Sequence, residues 1–141
     1  PGPQLEAFTL EGQAAFLFGE YAVRMDSDRM GYRLEGPPIG HHDGADITSQ
    51  GLAIGTVQVP ASGQPMVMMS DAPTTGGYTQ IAAVVSADLP LLAQCPPGMG
   101  RVRFRQTTVA AAQARWHWLV HGLETSIREP EEDSLGWVDG A

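Results

Sequence analysis

Lysine is absent from this sequence: its eight basic residues are all arginine, set against 16 Asp and Glu. That absence excludes, within this chain, a Schiff-base amine, a phosphate-loop lysine and a biotinyl-lysine. Any ATP or biotin must therefore be held by another chain or domain. Cysteine is nearly absent too. Cys95 stands alone, so no intrachain disulfide can form, which fits a cytoplasmic protein. No run approaches the 18 apolar residues of a membrane-spanning helix. No charged-then-apolar leader opens the sequence, so secretion gains no support, and the start at Pro1 without a Met suggests a cut or disordered start or a longer parent protein. The formal charge of −8 argues against nonspecific binding to nucleic acid.

Glycine and proline are plentiful, at 17 and 11 residues, which favours a turn-rich β or α+β fold over a helical bundle. The 141 residues suffice for one domain or part of a larger one, and residues 1–141 read as a single compact unit. Thr9 is placed to N-cap a short helix through Phe18. Strands are expected over Tyr21–Met25 and Gly31–Leu34, with loop through His41, His42 and Asp43. Leu52–Val59 and Met66–Met69 read as a hairpin around Pro60-Ala61-Ser62-Gly63, with Val57 and Val59 on one face and Gln58 on the other. Asp71–Gly77 reads as loop and Ile81–Val85 as a buried strand. Asp88–Gln94 reads as a turn or two of helix, and Val102–Gln106 as a strand. The period then changes. Val109–Ser126 is expected to be the longest helix, with Ala112, Trp116, Leu119, Val120 and Leu123 on one side and Pro130 beyond its end. Glu129, Glu131, Glu132 and Asp133 read as a solvated acidic run. The fold class expected is mainly β with a C-terminal helix, α+β by count.

Two segments carry a family resemblance. One is Ser27-Asp28-Arg29-Met30-Gly31-Tyr32-Arg33-Leu34-Glu35-Gly36-Pro37. The other runs from Ser49-Gln50-Gly51 through Gly55-Thr56-Val57-Gln58-Val59-Pro60 and Gly63-Gln64-Pro65 to Asp71-Ala72-Pro73-Thr74-Thr75-Gly76-Gly77-Tyr78. Ile81–Leu89 and Gln94–Gly98 follow in the same order. These blocks resemble the biotin-dependent carboxyltransferase family of the 5-oxoprolinase, allophanate hydrolase and urea carboxylase systems, over roughly residues 5–125. The matched blocks belong to the later half of that family's pattern. Gln50 and Thr79 depart from it, where an acidic residue and a proline are expected. The resemblance implies a cyclophilin-like β-barrel and a homologous partner subunit of the subunit 1 or B type. It also implies a complex that uses ATP on a small amide or lactam, with biotin entering only on another chain or domain.

The motif residues have chemistry of their own. On an extended segment Arg29 and Arg33 would share a face, where two guanidinium groups suit a carboxylate or phosphate; alternatively they fix a turn through ion pairs. Thr74-Thr75-Gly76-Gly77 offers consecutive unobstructed N–H groups, either as an anion-binding nest or oxyanion hole or as a tight turn with positive-φ glycines. Asp71 is a candidate base or amide-orienting group, or a backbone cap. Gln58 is either a ligand-facing amide or a solvent-facing one. Tyr78 either closes the site or packs. His117 and His121, four apart, lack the Glu of a zinc-protease helix, and Cys95 has no His partner. Trp116 and Trp118 read as core or interface. The leading function is thus a subunit of an ATP-dependent amide-ring hydrolase, with Arg29 and Asp71 as catalytic candidates and Arg33, Gln58, Thr74, Thr75, Gly76, Gly77 and Tyr78 as substrate-binding ones. Carboxyl transfer from biotin to urea is a close variant. The alternative is a regulatory binding module resembling the Kip-inhibitor antagonist.

Overall fold

The computed structural model describes residues 1–127. Its first helix, α1 (Leu10–Phe18), starts where Thr9 Oγ1 accepts the Gly12 N–H at 3.0 Å. Eight strands follow: β1 (Tyr21–Val23), β2 (Gly31–Glu35), β3 (Asp46–Gly51), β4 (Thr56–Gln58), β5 (Met66–Met68), β6 (Thr75–Tyr78), β7 (Gln80–Ala83) and β8 (Arg101–Val102). A short helix α2 (Leu89–Ala93) precedes β8, and α3 (Val109–Ser126) follows it. Six strands form an antiparallel sheet in the order β7-β4-β5-β2-β1-β8, while β3 and β6 pair separately.

The architecture is α+β, built on antiparallel sheets with a C-terminal helix. Among the described residues the six-stranded sheet does not close on itself. Gly2 N–H donates to Ile81 O at 2.7 Å along the outer side of β7, so the chain's own start occupies that edge. At the other end β8 pairs only with β1 among the described residues.

The expected β4–β5 hairpin forms, with Val57 opposite Val67 and Gln58 opposite Met66. Gly63 closes its turn, its N–H donating to Pro60 O at 2.9 Å with φ at +73°, a conformation that glycine adopts at little cost. Strand β4 begins only at Thr56, because Gly55 turns the chain at φ +90°. The core gathers around this hairpin. Tyr21, Leu34, Val57, Val59 and Val67 are fully enclosed, with Phe8, Phe16, Tyr32, Ile39 and Ile81 around them. Phe104 stacks on Phe16 at a centroid distance of 4.4 Å and ties the segment after β8 to α1.

Four sequence expectations need correction. Thr75–Tyr78 is strand, not loop, and its partner β3 is a polar strand that is almost wholly exposed. Neither strand shows apolar alternation, because their pairing rests on backbone hydrogen bonds rather than on an apolar face. The expected first strand is shortened to Tyr21–Val23, and the last to Arg101–Val102. Finally, α3 has the expected length but buries none of its residues. It touches the body through Arg115, which forms a forked pair with Asp88, so its apolar positions are interface-like and not core. The acidic run and Pro130 lie outside the described residues.

Candidate functional site

The turn before β2 sets the position of Arg29. Asp28 Oδ1 accepts the N–H groups of Met30 and Gly31 at 2.9 and 3.2 Å, holding the chain in an Asx turn. Arg29 then reaches across 42 positions of sequence to Asp71: Nε to Oδ2 at 3.1 Å and Nη2 to Oδ1 at 3.1 Å. The backbones join as well, the Asp71 N–H donating to Arg29 O at 2.9 Å. Both oxygens of Asp71 thus face one guanidinium, a forked geometry that fixes its plane. The pair is exposed, so it adds little to stability and serves to aim Arg29. Beside it lies a pocket of about 430 Å³ lined by Ser27, Asp28, Arg29, Tyr32, Met69 and Ser70, among others.

Arg33 goes elsewhere. Its Nη1 donates to the Asp26 backbone oxygen at 3.0 Å, and its Nε stands 4.0 Å from the Asp26 carboxylate. Asp26 is shared with Arg24, whose guanidinium holds this carboxyl below its ordinary range. The expected shared face of Arg29 and Arg33 does not form, because the extended strand starts only at Gly31.

Gln58 is buried, at 3% exposure, which removes the solvent-facing alternative. Its Nε2 donates to Tyr78 O at 3.2 Å, and β6 runs directly over it. A Cβ on Gly76 would meet Gln58 Nε2 at 2.7 Å and Leu52 Cδ1 at 2.8 Å, so glycine here permits close approach to those side chains and does not serve a positive φ. Gly76 and Gly77 lie in extended strand, so the alternating-handed nest that the sequence allowed is not formed there. Thr74 O accepts from Leu52 N–H at 2.8 Å, Thr75 pairs with Gly51, and Tyr78 sits at the half-exposed end of β6 opposite Asp46. The structure therefore makes two groups, Arg29 with Asp71 and Gln58 with Gly76–Tyr78. Residues 72–74 link them along the chain, and Arg33 belongs to neither.

Sequence reasoning missed His41. Its surroundings in the sequence suggest solvated loop, yet its ring packs on Phe8 at 4.7 Å, and its Nε2 lies 3.1 Å from Val59 O and 2.9 Å from Thr79 Oγ1. Burial lowers its pKa, and the Val59 carbonyl partly opposes that shift. Thr79 is fully buried and its N–H donates to Ala45 O at 2.9 Å, a bond that the proline expected at this position could not make. The signal was present in the departure at Thr79, but its partner lies 38 residues away.

A larger cleft, of about 990 Å³, lies apart from both groups, between α1, β7 and the start of α3. Phe16, Ile81, Leu92, Val102 and Phe104 give it an apolar lining. The smaller pocket instead has Asp28, Arg29 and the hydroxyl-bearing Ser27, Tyr32 and Ser70 among its lining residues. Among the described residues no three His, Cys, Asp or Glu side chains converge as a metal set, and His117 and His121 lie on exposed turns of α3.

Antiparallel sheets assembled from motif blocks in this order place the chain in a class, and comparison with known proteins agrees. Residues 1–106 match the family model "Carboxyltransferase domain, subdomain A and B", and the chain belongs to that family. It is 45% identical over 98 residues to the C subunit of 5-oxoprolinase from Escherichia coli, covering 70% of this chain and 32% of that protein. It is 38% identical over 112 residues to the Haemophilus influenzae protein of the same name, covering 79% of this chain and 36% of that protein. The chain thus spans about a third of the length of these curated relatives. The Kluyveromyces lactis urea amidolyase structure superposes on 94% of this chain and 9% of its own at TM-score 0.82; its 20% identity speaks to fold alone.

Proposed function

We propose that this chain is the C-terminal part of a carboxyltransferase-type subunit, acting in an ATP-dependent, 5-oxoprolinase-like complex that opens a small amide or lactam ring. The observation that carries this reading is the forked Arg29–Asp71 pair, built by two of the motif blocks, with Arg29 lining a small pocket. With Asp71 engaged at both oxygens, its role is to position Arg29, whose remaining N–H donors face an anionic group of the substrate or the charge that develops on the amide oxygen. Gln58, Thr74, Thr75, Gly76, Gly77 and Tyr78 form a second wall, where the buried Gln58 amide holds β6 in place. Arg33 supports the turn from behind. The relatives named for 5-oxoprolinase support the substrate class.

The described residues do not fit a nucleotide. Lysine is absent from the sequence, and the Gly76-Gly77 stretch is strand rather than a phosphate-cradling loop leading into a helix. ATP, and biotin in a urea carboxylase-like variant, would belong to a homologous partner subunit or another domain. The test is to coexpress the full-length parent with its neighbouring subunits and measure ATP hydrolysis with and without 5-oxoproline. Stimulation by 5-oxoproline is expected. In the assembled complex, Arg29→Ala should lower kcat/KM by about a hundredfold, the scale of losing one charge-stabilising donor. Unchanged turnover removes Arg29 from the site, and tight partner binding without any stimulation favours a regulatory module. The exposed Trp118 and Leu123 on α3 suit that second reading.

A further inference from the structure

The segment after β8 has an unusual combination of features. Val102 and Phe104 are partly buried against the core, while Arg101, Arg103 and Arg105 are exposed. Residues on one side of an extended chain repeat every ~6.6 Å, so Arg101, Arg103 and Arg105 form a row along the same exposed side. Glu20 serves two of them, with Arg101 Nη1 at 3.3 Å and Arg103 Nη2 at 2.9 Å. Arg105 has no carboxylate partner among the described residues. The row therefore holds three positive charges against one negative, on a chain whose formal charge is −8.

The backbone of this segment is also unfinished. Burial alternates as it does in a strand from Arg101 through Arg105, yet among the described residues no backbone–backbone hydrogen bond engages residues 103–107. At the end of the sheet β1 pairs with Arg101–Val102 on one side, and no described strand lies on the other side or beside residues 103–107. An exposed extended edge of this kind is a template for a further strand. Here the usual protection against pairing is arginine, which repels basic segments and attracts acidic ones.

We propose that residues 101–107 form a docking edge for an acidic, extended segment of a partner polypeptide, added as a strand beside β8. Carboxylates at alternate positions of such a strand repeat at the same spacing as Arg101, Arg103 and Arg105, so charge and main-chain pairing come into register together. A small anion would engage one guanidinium fork and leave the backbone groups of 103–107 unpaired. A polynucleotide would face the repulsion of an acidic protein.

The test titrates the full chain into a fluorescein-labelled heptapeptide of alternating Glu and Val, followed by anisotropy, beside the same peptide with Lys in place of Glu. The Glu peptide should bind and the Lys peptide should not. Added salt should weaken the complex. Arg105→Glu, at a side chain that holds no carboxylate among the described residues, should weaken binding about tenfold or more. Hydrogen exchange should slow at the backbone amides of 103–107 when the Glu peptide is bound. Equal binding of both peptides, indifference to Arg105→Glu, or protection confined to other residues would each overturn the proposal. So would self-association of the chain through this edge that Arg105→Glu abolishes, since the occupant would then be a second copy.

Discussion

The six-stranded sheet and α3 are both built from apolar residues at regular spacing, yet one is enclosed and the other is not. Strands β1, β4 and β5 are only three residues each, and most residues in them are buried. Helix α3 is 18 residues long and buries none. The difference lies in what stands opposite. Each of these strands has a strand on either side and packs against a further layer. For β4 the layers are the core on the Val57 side and the β3–β6 ribbon over Gln58. Helix α3 meets the body at its N-terminal part, chiefly through Arg115 and Asp88. Periodicity reports where an apolar face can be; packing requires that another element cover it.

The comparison can be broken most decisively in the sheet. Leu34 is completely enclosed, and Leu34→Ala should cost about 2–5 kcal/mol in urea unfolding. Leu123→Ala on α3 should cost less than about 0.5 kcal/mol in the same assay. A similar loss at both positions would mean that α3 is packed as firmly as the sheet.

Next in size is Tyr21. Its hydroxyl donates between Ala15 O at 3.0 Å and Pro37 O at 3.1 Å, tying α1 to the turn after β2. Tyr21→Phe leaves both carbonyls without this donor and should cost about 1–3 kcal/mol. Burial pushes the Tyr21 pKa up to about 12 from an ordinary 10.0. The protonated form is therefore the one that the fold favours. Its contribution is complete below the ordinary value of 10.0 and is lost as pH rises from there toward about 12. Denaturation followed from about pH 9 to about pH 11 should show this alkaline slope in the native chain and a flatter one in Tyr21→Phe.

The smallest effect expected is at His41, where burial favours the neutral ring and lowers its pKa below the ordinary 6.5. Stability linked to this ring is complete above pH 6.5 and declines as pH falls through the depressed value. His41→Gln should flatten that part of the profile, read as the urea midpoint between about pH 7 and about pH 5. An unchanged slope would show that carboxylates alone produce the acid response.

Sequence alone went far with local structure. Thr9, read as an N-cap, accepts the Gly12 N–H, so the start of α1 was written into a single residue. Pro60 and Gly63 set the β4–β5 turn, and the ordered motif blocks identified the family. These features depend on neighbours a few positions apart or on a linear pattern. What tertiary structure decided lies between distant residues. Arg29 could have shared a face with Arg33 or met a carboxylate, and only the approach of β2 to the end of β5 brought it to Asp71, 42 residues away. Gln58 was legible as a polar residue in a strand, but its burial depends on the β3–β6 ribbon, whose strands carry no apolar alternation. Gly76 lies close over the Gln58 and Leu52 side chains, a proximity that its own φ gives no sign of. The exposure of α3 was likewise beyond the sequence, since an amphipathic helix has the same pattern whether or not a partner covers it.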